Sequence, residues 1–77
     1  MQTIVSKNAG HQGMTVYYEL LEERGRYGIR VSCGTEVEEI TDLAVKKEPV
    51  LELLQAMVRG FVTPVTARDI AEDWLLR

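Results

Sequence analysis

The chain has 77 residues, 45% hydrophobic and 27% charged, with a formal net charge of -3. That length fits one domain spanning 1–77, and a domain this small buries only about 60% of its extended-chain surface. One cysteine excludes an internal disulfide, one histidine beside it argues against a structural metal, and the mild acidic balance disfavours a polyanion partner.

Residues 1–13 read as an N-terminal segment and loop, with room for partial disorder. Thr3-Ile4-Val5 is β-prone and short, a peripheral strand or a tail that orders on packing. Asn8-Ala9-Gly10-His11-Gln12-Gly13 has two glycines and no apolar period, which predicts a loop.

Met14 to Glu23 and Tyr27 to Cys33 alternate as strands do, joined at Arg24-Gly25, where glycine supplies φ > 0. Placing Glu23 opposite Arg26 sets Glu22 on Tyr27, Leu20 on Ile29, Tyr18 on Val31 and Val16 on Cys33. The apolar residues then share one face, while Glu19 meets Arg30 on the other; a one-residue slip destroys both sets. Gly34-Thr35 is a second tight turn of the glycine-first kind, leading to a strand from Glu36 to Asp42. Its expected register pairs Ile29 with Ile40 and puts Arg30 between Glu19 and Glu39. Val37 then faces outward and Glu38 inward, which calls for a bulge or for packing of the Ile40 half alone. Leu43 and Val45, in the connector that follows, are expected to close one end of the core.

Pro49 to Phe61 carries the clearest period. At about 100° per residue Val50, Leu53, Leu54, Met57 and Phe61 form one stripe, flanked by Leu51 and Val58. Glu48, Glu52, Gln55 and Arg59 take the far side. Pro49 suits the first turn and Gly60 the position past the end, where φ > 0 is expected. Burying the five stripe residues contributes at most roughly 1.5–3 kcal/mol each. A second helix starts either at Thr66, with Asp69 as a capping-box partner, or one turn earlier at Thr63-Pro64. Ala67, Ile70, Ala71, Trp74 and Leu75 share its apolar arc, and Asp73 with Arg77 forms a favourable i,i+4 pair. The expected fold class is α+β: an antiparallel sheet of three strands, four if residues 3–5 join, packed on one face by two C-terminal helices.

No catalytic set can be assembled. His11 has no orienting partner in sequence, Cys33 has the parity of a buried small residue, and the acidic runs 36–42 and 69–73 lack calcium-loop spacing. No metal, cofactor or small-molecule ligand is called for, and the chain is read as a non-enzyme. The stretch Met1-Gln2-Thr3-Ile4-Val5-Ser6-Lys7 lacks the apolar run of a signal peptide, and no run reaches membrane-spanning length, so a soluble cytoplasmic protein is expected. Tyr17 and Leu21 point away from the core face beside Gly28 and Ser32, which leaves them as ordinary exposed residues, as residues covered by the N-terminal segment, or as a contact surface. With Glu19 and Arg30 they form the candidate interface of a homodimer or of a contact with another protein. The alternative is nucleic-acid contact through Arg24, Arg26, Arg30, Lys46 and Lys47, which the carboxylates facing two of these arginines weaken.

Tyr18-x-Leu20, Tyr27-Gly28-Ile29, Ile40-Thr41-Asp42, Val62-Thr63-Pro64 and the segment Asp69-Ile70-Ala71-Glu72-Asp73-Trp74-Leu75 carry a resemblance. Together they resemble an uncharacterised family of small proteins, a domain of unknown function, from Gram-positive anaerobic bacteria. The chain departs from that pattern at Val65-Thr66-Ala67-Arg68, and at Trp74 where phenylalanine is expected. The resemblance implies a shared fold and a cytoplasmic bacterial setting, and no functional residue.

Overall fold

A computed structural model describes residues 1–76. Four strands come first: β1 (Gln2–His11), β2 (Met14–Glu23), β3 (Arg26–Cys33) and β4 (Glu36–Ala44). Two helices follow, α1 (Lys47–Arg59) and α2 (Pro64–Leu75). The sheet is antiparallel throughout, in the order β1-β2-β3-β4. The N-terminal strand β1 is therefore a full member of the sheet. It covers Asn8 to His11, expected as loop, and only Gln12-Gly13 turn, both with φ > 0. That dipeptide matches Arg24-Gly25, where both residues also have φ > 0, as type I′ hairpin turns require. The Glu22 carboxylate accepts a 3.1 Å bond from the Gly25 N–H and steadies the second turn.

The β2–β3 register is the expected one from Tyr17↔Ser32 to Glu23↔Arg26. In the third ladder Ile29 faces Ile40, Arg30 faces Glu39 and Ser32 faces Val37. The irregularity lies beyond Ile40: Ala44 pairs with Tyr27, so Thr41, Asp42 and Leu43 together span the place opposite Gly28. Asp42 takes φ 63 there, a short polar residue in a region that aspartate tolerates. Glu38, inward by parity, is half-buried and accepts a 2.5 Å bond from Arg68 Nε of α2. Arg68 Nη2 also donates to the Glu39 carbonyl at 3.1 Å, which satisfies a backbone acceptor on this edge strand.

Val16, Tyr18, Leu20, Ile29, Val31 and Ile40 share one buried cluster with Val50, Leu53, Leu54 and Met57 of α1 and with Ala67 and Ala71 of α2. Leu43 belongs to it, whereas Val45, expected beside it, is 60% exposed because the chain has already left the sheet. Leu51, Val58 and Phe61 pack on the cluster's margin, as does the half-buried Cys33. At the end of α1, Gly60 keeps φ -89 and Phe61 takes φ 50 instead. The Phe61 N–H bonds the Val58 carbonyl and the Val62 N–H the Met57 carbonyl, a Schellman closure shifted one residue past the glycine. Helix α2 starts at the earlier of the two signals. Pro64 is its first residue, the Thr63 carbonyl receives the Thr66 and Ala67 N–H groups, and the Thr66 hydroxyl bonds backward to that same carbonyl. Of its apolar arc Ala67 and Ala71 are buried and Trp74 is half-buried, while Ile70 and Leu75 are exposed. The Asp73–Arg77 pair lies outside the described residues.

One polar bond ties the corner between the helices to the sheet. The fully buried Tyr18 hydroxyl donates to the Val62 carbonyl at 2.7 Å. Tyr18→Phe should lower stability by roughly 1–3 kcal/mol, because it strands a buried acceptor without changing shape. Burial, and then the neighbouring Cys33 thiolate, raise the Tyr18 pKa above its ordinary value of 10.0. The unfolded chain therefore loses this proton first. The stability Tyr18 contributes is full below about pH 10 and is lost as pH rises through the folded-state value. Urea unfolding between neutral pH and pH 11 checks both effects: the phenylalanine variant should show a shallower alkaline decline than wild type.

Candidate functional site

On the face opposite the core residues of β2 and β3, side chains line up in rows across the strands. One row is Ser6, Glu19, Arg30 and Glu39. Arg30 Nη1 donates to Glu19 Oε1 at 2.9 Å and Nε to Glu39 Oε2 at 3.0 Å, and the Thr3 hydroxyl bonds Glu19 at 3.3 Å. Those carboxylates, first through hydrogen bonds and then through charge, raise the Arg30 pKa further. Pairs that water still reaches, as it does these half-buried ones, contribute about 0–1 kcal/mol each, so the network acts chiefly to fix register.

The adjacent row is Asn8, Tyr17, Ser32 and Val37. Tyr17 is 48% exposed and Val37 57% exposed, with only the small Ser32 between them. The two outward-facing apolar residues of β2 and β4 that are exposed thus fall in one row. Sequence parity finds each separately; it takes the register of both ladders to see them as neighbours.

Leu21 differs from the expectation. It faces outward with Tyr17 but is only 2% exposed, and it lies outside the main buried cluster. It forms part of a shallow cleft of about 300 Å³ with Met1, Glu23, Arg26, Gly28 and Asp42. The expected interface pair is therefore split: Tyr17 is accessible, and Leu21 is a packing residue. Its cross-strand partner Gly28 has no side chain, the β4 backbone at Ile40 and Thr41 closes on that glycine, and Met1 lines the same cleft.

The basic residues do not form an open stripe. Arg26 pairs with Asp42, and Arg30 is held between two carboxylates. Ala44 stands opposite Tyr27, so Lys46 and Lys47 leave the sheet at the hairpin end that carries Arg24 and Arg26. Glu22, Glu23, Asp42 and Glu48 share that end, which dilutes its positive field. His11 meets the Phe61 ring edge-on, 5.7 Å between centroids. Among the described residues no three His, Cys, Asp or Glu side chains converge as metal ligands, and no helix is long and apolar enough to cross a membrane.

A four-stranded antiparallel meander with two C-terminal helices and a charge-pinned outer face defines a small α+β protein. The chain belongs to the Family of unknown function (DUF6514), whose model matches residues 1–77. The resemblance read from the sequence thus holds at the level of a family of unknown function, and it extends over the whole chain. No curated protein and no solved structure matches the chain.

Proposed function

We propose that the protein is a non-catalytic protein-interaction or small regulatory module that self-associates through its outer sheet face. In this reading both helices pack on one face of the sheet and leave the other for a second copy. The observation that supports it is the shared row of Tyr17 and Val37, a small apolar strip beside the polar row of Glu19, Arg30 and Glu39. An apolar centre with a polar rim suits an interface, and a two-fold pairing would bring each strip onto its copy. A cytoplasmic setting belongs to the reading and suits the lone thiol of Cys33.

Light scattering across a concentration series tests it. Wild type should approach twice its monomer mass, and the Tyr17→Ser, Val37→Ser double variant should remain monomeric while melting within a few degrees of wild type, as surface changes do. A monomeric wild type at every concentration, or a variant with undiminished dimer mass, would overturn the assignment.

A further inference from the structure

The helices leave a second surface whose chemistry differs from that of the outer sheet face. Helix α2 gives Pro64, Ala67 and Ala71 to the buried interior, with Trp74 half-buried against it, and Trp74 together with the exposed Ile70 lines a groove beside α1. That groove measures about 610 Å³, and Leu53 and Ala56 of α1 complete its apolar lining. Among the described residues its charged lining is unequal: Glu52, Asp69 and Asp73 against Arg59. Ile70 and Trp74 are one helical turn apart, so they present a continuous ridge to whatever enters.

The geometry points to a docking site for a basic amphipathic helix of a partner protein, its apolar face on Ile70 and Trp74 and its lysines or arginines against Asp69, Asp73 and Glu52. Charge selects this occupant over a second copy. Helix α2 carries one basic and three acidic side chains, its arginine already engaged by Glu38, and α1 carries two of each sign. Neither helix of a second copy brings the net positive charge that the groove matches. The mode is the lodging of an amphipathic helix in an apolar groove, with rim charges setting specificity and encounter rate.

Trp74 is the only tryptophan in the chain and reports directly on occupancy. The probe is a synthetic helical peptide of leucine and lysine, leucines at i, i+3, i+4 and i+7, with a leucine–glutamate peptide of the same pattern as control. The lysine peptide should shift Trp74 emission to the blue in a saturable way, more weakly at high salt, and the glutamate peptide should not. Asp69→Asn with Asp73→Asn should raise the Kd roughly fivefold at low salt. Ile70→Lys, at an exposed position, should leave the circular dichroism spectrum unchanged and abolish the shift. The Tyr17→Ser, Val37→Ser variant should bind the peptide as wild type does, which separates this surface from the one proposed for self-association. No saturable shift, equal response to both peptides, or a shift that survives Ile70→Lys would overturn the proposal. So would a blue shift that grows with protein concentration alone, because a second copy would then fill the groove.

Discussion

Gly28→Ala is expected to lower the thermal midpoint by roughly 10–20 °C, corresponding to about 3 kcal/mol from overpacking. A methyl group there would lie 2.8 Å from the Thr41 Cα and closer still to the Ile40 carbonyl oxygen. Both are backbone atoms, so no side chain can rotate away. The cause is the bulge in β4, which brings three residues against the single position of Gly28. Gly28 has ordinary negative φ, so space rather than dihedral freedom demands glycine. Gly10→Ala is the control: its added methyl meets the Met14 carbonyl at 3.7 Å, an ordinary contact, and should change stability by less than about 0.5 kcal/mol. Differential scanning calorimetry of both variants decides. If Gly28→Ala melts with the control, the backbone of Ile40 and Thr41 does not lie where the register puts it.

Leu21→Ala should lose roughly 2–5 kcal/mol in urea unfolding, the range for truncating a buried leucine. Such a loss is large against the total of about 4–12 kcal/mol expected for a chain of this length. The prediction separates two residues that sequence alone treats alike. Tyr17 and Leu21 occupy equivalent outward positions on β2, yet only Leu21 is buried. Tyr17→Ala should change stability little and association strongly. Leu21→Ala should do the reverse, and a Leu21 variant as stable as wild type would restore it to the accessible surface.

These cases mark how far the sequence can be read. The β2–β3 hairpin was legible because its two faces are specified independently, by apolar alternation and by Glu19–Arg30 and Glu23–Arg26. The core stripe of α1 was legible because its period leaves Val50, Leu53, Leu54 and Met57 on one side. Strand β1 was obscured because an edge strand is held by backbone bonds to one neighbour, and its side chains carry little burial pattern. The signal that marks it is the Gln12-Gly13 turn, the twin of Arg24-Gly25 in chemistry and φ. The bulge that Val37 and Glu38 called for lies instead beyond Ile40, where Thr41 and Asp42 read as an ordinary strand end. Gly60 suggested the helix stop correctly to within one residue, but the left-handed conformation fell on Phe61. The outer row became visible only when two separate parity exceptions, Tyr17 and Val37, were joined through Ser32. The helix groove reflects a different gap: a wheel shows that Ile70 and Trp74 share an arc, not whether the neighbouring helix comes near enough to cover them.

Every strand of the sheet lies beside its neighbour in sequence, with two-residue turns between them. Each pairing therefore closes a short loop at small entropic cost, and the sheet can grow hairpin by hairpin from the N-terminus. The residues that finish the core arrive last, because α1 and α2 follow β4. During synthesis, until residues 47–75 have emerged, Val16, Tyr18, Leu20, Ile29 and Val31 lack their helical cover. That uncovered apolar face lies opposite the charged row of Glu19, Arg30 and Glu39, so the row does not shield it and it stays open until the helices arrive. The half-made sheet is therefore most prone to aggregate through its core face, and the helices that complete the fold also close that route.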